Sequence, residues 1–163
     1  MRVTGLDLSI TRTGICLPDG STLAVKTDAK AGDRRLQAIR DAVHKAVADA
    51  DLAVLEEAPP GLRGNAIKAI HMVQGAVRTE LLDLCVPYAV VNPSTLKLFA
   101  TGAKGADKVK MATTALILSG REFDTDDECD AFWLREAALA HYGLSTLRIP
   151  AAQLRTLEAV VWP

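Results

Sequence analysis

The stretch "DTDDECDAFWLREAALAHYG", residues 124–143, decides how this chain is read. Five acids stand between residues 124 and 130, and like charges that close repel one another. A helix start accounts for part of the crowding. Thr125 and Glu128 have capping-box spacing, and acids in a first helical turn each gain about 0.3–1 kcal/mol from the helix dipole. That explains Asp124, Asp126 and Glu128. It does not explain Asp127 and Asp130, which share a stripe of the helical wheel with Ala131, Leu134, Ala138 and His141. Small and apolar residues of such a stripe should face a core, where an unpaired charge is strongly destabilising.

Outward from this block, two further acids raise the same question. In "VTGLDLS", residues 3–9, Asp7 sits between Leu6 and Leu8 in a segment that otherwise reads as a central strand. In "LAVLEE", residues 52–57, Glu56 follows four apolar residues. Both acids stand at or near the C-terminal ends of strands, where open α/β sheets place their binding crevices. Glu57 is a neighbour of the same type, but only Glu56 ends the apolar run directly. Four inward acids without a matching set of buried arginines call for another counter-charge. Oxygen-only ligation suits magnesium or manganese, whereas zinc takes His or Cys.

The rest of the chain reads as a mixed α/β sheet with helices on both faces. Residues 2–9, 13–17 and "TLAVKT" (22–27) give three antiparallel strands, with the turn signal "PDGS" before the third. Helical spacing of Leu36, Ile39, Val43 and Val47 predicts a helix over 33–50. "LAVLEE" then reads as a buried strand, 65–84 as a helix and "YAVV" (88–91) as a strand. "NPST" opens a short helix, the Gly-rich "TGAKGADK" leads into a helix over 106–118, and the acidic block starts the last long helix. Residues 144–163, with a short helix after Pro150, are expected to pack as an extension on the domain of residues 1–143.

Composition bounds the function. At 163 residues the chain can bury a real core as one domain. No apolar run approaches the roughly 18 residues of a membrane span. The start "MRVTGLDLSI" enters a strand pattern without the regions of a signal peptide, so a soluble cytoplasmic protein is expected. Cys16, Cys85 and Cys129 show no CxxC spacing and read as reduced thiols. The net charge of −1 does not advertise a nucleic-acid binder, yet residues 92–110 hold Lys97, Lys104, Lys108 and Lys110 against Asp107 alone. Lys26, in the third strand, reads as a surface residue apart from these.

An Asp in strand one, a Glu after a later strand and a final helix with Asp-x-x-Asp resemble the RNase H-like nuclease superfamily. Within it, the sequence is similar to the RuvC-type Holliday junction resolvases, particularly short phage-encoded ones. Asp7 followed by Thr13-Gly14 resembles their opening motif, and Asp127-Glu128-Cys129-Asp130-Ala131 their Asp-x-x-Asp-Ala. "TGAKGADKVKM" resembles their Lys-containing loop, and "MVQGAV" their interface helix. Two departures stand out. Leu8-Ser9 replaces the Pro-Gly usual in bacterial members, and "EAPPGLRG" (57–64) offers Leu62 and Arg63 where an aromatic wedge is usual.

The resemblance implies an RNase H-like endonuclease in which Asp7, Glu56, Asp127 and Asp130 hold two Mg²⁺ ions about 4 Å apart, with Mn²⁺ able to substitute. It implies branched DNA, above all four-way junctions, as substrate, cut symmetrically to leave 5′-phosphate and 3′-hydroxyl ends. Lys104 and Lys108 would contact phosphates of the cut strand, with Lys97, Lys110 and Arg63 as further DNA contacts. Arg34, Arg35 and Arg40 read equally well as a helix exterior. A homodimer is implied through the helix over 65–84, where Ala66, Ala69, Ile70, Val73, Ala76, Val77 and Leu81 make a wide apolar surface. Alternatives are a junction binder that does not cut, and an RNase H-like nuclease with another nucleic-acid substrate. A sugar kinase of actin-like fold would need well over twice this length, and a proofreading exonuclease would carry Asp-x-Glu in strand one.

Overall fold

The N-terminal apolar runs form an antiparallel meander of β1 (Val3–Asp7), β2 (Arg12–Cys16) and β3 (Thr22–Lys26). On the other side of β1, β4 (Leu52–Glu56) and β5 (Tyr88–Val91) add in parallel, giving one five-stranded sheet in the order β3-β2-β1-β4-β5. The computed structural model describes residues 1–59, 61 and 63–163. Central position explains composition: the first four residues of β1 and of β4 are all buried, as strands covered on both faces must be.

Each face of the sheet has its own core. Leu6, Ile15, Ala53 and Leu55 pack beneath α1 (Arg34–Val47) and α2 (Gly64–Asp83), with Ile39, Val43, Val73 and Val77 supplied by the helices. Val3, Cys16, Leu52 and Val54 pack beneath α3 (Pro93–Thr101), α4 (Lys108–Ser119) and α5 (Asp126–His141). The mixed sheet with helices on both faces is therefore the architecture that the sequence pattern predicts.

Three departures have local causes. β2 begins at Arg12, one residue before the expected start, which places Arg12 on the ladder opposite Lys26. α4 begins at Lys108 rather than at 106, because the Asp107 side chain accepts from the Lys110 amide at 2.8 Å and fixes the helix start. α5 is buried nearly all round instead of along one stripe. Cys129, Phe132, Trp133 and Glu136 are buried as well, because α3, α4 and Leu157 of the C-terminal segment cover its outer side. Beyond α5, the segment carries α6 (Ala151–Leu154) and a 3₁₀ turn (Arg155–Ala159).

No described helix is long and apolar enough to cross a membrane.

Candidate active site

Side chains alternate across a strand, so Val3 and Asp7 point to the α5 side of β1, and Val54 and Glu56 do the same on β4. The parallel register pairs Leu6 with Leu55; one residue further it sets Glu56 beside Asp7 at the C-terminal edge. Asp127 and Asp130 come down on this edge from the first turns of α5. Thr125 caps that helix by accepting from the Glu128 amide at 3.3 Å, and its hydroxyl is also within 3.1 Å of the Glu128 carboxylate. Two glycines set the approach. A Cβ on Gly5 would overlap the carbonyl of Ala131, and one on Gly14 the carbonyl of Asp127.

Hydrogen bonds from side chains to the backbone hold the edge in place. The buried Thr13 hydroxyl donates to the Ser9 carbonyl at 2.8 Å and accepts from the Ser9 amide at 3.2 Å, closing the loop between β1 and β2. Gln74, buried on α2, donates from Nε2 to the Glu56 carbonyl at 3.1 Å. Glu57 turns elsewhere: its Oε2 accepts from Asn92 Nδ2 at 3.0 Å, at the start of α3.

The electrostatics follow from this crowding. Burial lifts Asp7 well above the ordinary carboxylate range, with Glu56, Asp130 and Asp127 adding to the lift and Lys108 opposing it. Burial and then Asp130 raise Glu56 to about 8, against the pull of Lys97. Burial also raises Asp130 to about 6; Lys108 and Lys97 hold it down, while Asp127 and Asp126 push it up. Arg12 Nε donates to Asp127 Oδ2. The view that all four inward acids lack an arginine partner therefore needs correction at Asp127.

Among the described residues, no three His, Cys, Asp or Glu side chains converge closely enough to hold one metal ion. The donor set nonetheless fits a hard divalent cation. Asp7, Glu56 and Asp130 are carboxylates that destabilise one another, and oxygen-only ligation relieves that repulsion. Over Asp7 and Glu56 opens a cleft of about 520 Å³, walled by Ser9, Thr11, Ala66, Ala69 and Ile70.

No protein-family model and no curated protein matches the chain. Solved structures do. The Thermus thermophilus RuvC structure aligns with a TM-score of 0.73 and 20% identity, over 92% of this chain and 100% of that one. T. thermophilus RuvC in complex with a Holliday junction substrate aligns with a TM-score of 0.74 and 20% identity, over 91% and 98%. This chain has the RuvC fold.

On that RuvC fold the cations of the sequence reading take different positions. Lys97, on α3, is close enough to act on Glu56 and Asp130. Lys108 Nζ lies 2.8 Å from Asp126 Oδ2, in an ion pair beside the carboxylates. Lys104, Lys110 and Arg63 are exposed, and with Lys97 they form no ion pair among the described residues. Gly102 ends α3 in the left-handed conformation, at φ 71°, and so turns the chain into the loop that carries Lys104. Leu62 lies outside the described residues.

Two readings of the sequence are corrected. Val73, Val77 and Leu81 are buried in the core beneath α1 and α2, so they are not part of an outward surface. Among the residues that α2 presents outward are Ala66, Lys68, His71, Met72, Gly75, Thr79 and Leu82, with Ala69 and Ala76 half-buried. Lys26 is not remote from the site, since it stands opposite Arg12 in the ladder and shares a cleft with Asp127. Sequence reasoning also missed Gln74 and Arg12 as site residues. A strict period-two count from Cys16 through Gly14 to Arg12 would have placed Arg12 on the α5 side.

Proposed function

We propose that this chain is a divalent-metal-dependent endonuclease that cuts branched DNA, four-way junctions above all, leaving 5′-phosphate and 3′-hydroxyl ends. The observation that carries the reading is the gathering of Asp7, Glu56, Asp127 and Asp130 at one sheet edge of a RuvC fold. One of the matching structures is itself a complex with a Holliday junction.

Asp7, Glu56, Asp127 and Asp130 would hold Mg²⁺ or Mn²⁺. Bound there, the metal would supply an activated water and charge stabilisation for the leaving oxygen. The chain's own residues do the positioning. Thr13 and Gln74 fix the backbone on which Asp7 and Glu56 stand, and the two glycines let α5 deliver its acids. Lys97, Lys104, Lys108, Lys110 and Arg63 bind backbone phosphates, which orients the strand without reading its sequence. Neutralising four acids with metal leaves the rest of the chain net positive, as a DNA-binding surface requires. Two opposed nicks need two such sites, and a homodimer through the outward side of α2 supplies them.

A labelled four-way junction incubated with Mg²⁺, with EDTA and with Ca²⁺ tests the reading, alongside a linear duplex and an RNA–DNA hybrid. Cutting of the junction in Mg²⁺ alone is expected. A shifted but uncut junction in all three would make the protein a binding module, and preferred cutting of the hybrid would replace the substrate.

A further inference from the structure

A second cleft, of about 370 Å³, lies beside the carboxylates on the β2–β3 side and is lined by Ser9, Thr11, Arg12, Lys26, Thr27 and Asp127. Its charge is out of balance. Arg12 and Lys26 face one another directly across the ladder, an arrangement in which like charges repel. Asp127 is the single acid in that lining and, among the described residues, is engaged by Arg12 alone. Arg35, outside the lining, holds Thr27 in place: it donates from Nε to the Thr27 hydroxyl at 2.9 Å and from Nη2 to the Ile10 carbonyl at 2.8 Å. Thr27 also donates to that carbonyl, so the walls are tied to each other.

The donors left over match one kind of ligand. Arg12 spends Nε on Asp127, which fixes the guanidinium and leaves its two Nη groups as a fork suited to two oxygens of one anion. Lys26 is exposed and forms no ion pair among the described residues. At about 4.8 Å between neighbouring strands, the Lys26 column lies roughly 10 Å from the Asp7 column along the sheet edge. Lys97, on α3, acts on Glu56 of β4, on the other side of Asp7 from this cleft.

We infer that this cleft is a second phosphate site, in which the Arg12 fork and the Lys26 ammonium hold a phosphodiester of the bound strand near the scissile linkage. The inference rests on the nuclease reading for its polymer. A strand gripped on both sides of the carboxylates is fixed in direction across them, which one set of lysines cannot achieve.

Lys26→Ala is the test, because it leaves the Arg12–Asp127 pair in place. Binding of the uncut junction in Ca²⁺ is measured against salt concentration. The slope of log affinity on log salt should flatten by about one unit. Lys45→Ala, exposed on α1, should leave it unchanged. Junctions with a single uncharged methylphosphonate at each linkage flanking the cut give the second arm. At one linkage the neutral group should weaken wild-type binding several-fold and Lys26→Ala binding by clearly less, because only the Arg12 contact is then left to lose. A wild-type slope in Lys26→Ala, or a linkage effect as large in it as in wild type, would overturn the phosphate site alone. Wild-type protein that binds no branched DNA would overturn it together with the nuclease reading.

Discussion

Gly14 stands opposite Asp7 in the β1–β2 ladder, and the backbone of Asp127 fills the space that a side chain on Gly14 would need. The missing Cβ thus sets how near the carboxylates of α5 come to the first carboxylate of the sheet. Gly14→Ala must push the helix away, at about 1–3 kcal/mol for overpacking. Urea denaturation should show that loss, and junction cutting should fall more than junction binding. Gly75→Ala, with open space around it on α2, should gain about 0.5–1 kcal/mol instead. Wild-type stability and turnover in Gly14→Ala would mean that the close approach does not matter.

Glu56 makes the metal-free protein less stable as pH rises. Its carboxyl is raised from an ordinary 4.5 to about 8, so the folded chain holds this proton more tightly than the unfolded chain does. The stabilisation is full below the unfolded value and is lost as pH passes through the folded one. Metal-free melting temperatures should fall between pH 5 and 8. Glu56→Gln should flatten that fall and raise the pH 8 midpoint by roughly 2–8 °C, for about 1–2 kcal/mol once solvent screening is allowed for. A midpoint lowered at pH 8 would contradict the crowding of Glu56 with Asp7 and Asp130.

Asp127 should behave unlike its neighbours, since Arg12 partners it. Asp127→Asn weakens a charge-assisted hydrogen bond and is expected to cost about 1–2 kcal/mol. Asp7→Asn and Asp130→Asn remove repulsion and should leave stability equal or higher. Equal denaturation midpoints for all three would take the Arg12–Asp127 pair out of the account.

Much of this was legible in the sequence because apolar period and strand ends carry it. Asp7 and Glu56 stood out as charges in buried strands, and Asp127 and Asp130 as charges on an inward stripe. Pairing was not legible. Whether Arg12 meets Asp127 depends on where β2 starts and on how closely α5 sits on Gly14, and neither is a local property. Nor could the chain show that Val73, Val77 and Leu81 are used by its own core, because an apolar helix face looks the same against its own domain or a partner. Gln74 was noticed only as part of a resemblance; its bond to the Glu56 carbonyl joins residues eighteen positions apart.

Assembly is tested on the outward side of α2. Light scattering at micromolar concentration should give roughly twice the monomer mass of 17.4 kDa. Ala76→Arg, at a half-buried position, should yield a folded monomer whose paired cutting drops more than its single nicking. Val73→Arg is unsuitable, because Val73 is 1% exposed and the charge would unfold the domain. A wild-type monomer both free and on the junction would contradict the dimer.

The most direct measurement is single-turnover cutting of a pre-bound four-way junction on addition of Mg²⁺, with binding followed in parallel. Asp7→Asn, Glu56→Gln, Asp127→Asn and Asp130→Asn should each bind like wild type and fail to cut, while Glu57→Gln, tied to Asn92, should cut. Near-normal cutting by all four variants would contradict a carboxylate centre at this sheet edge.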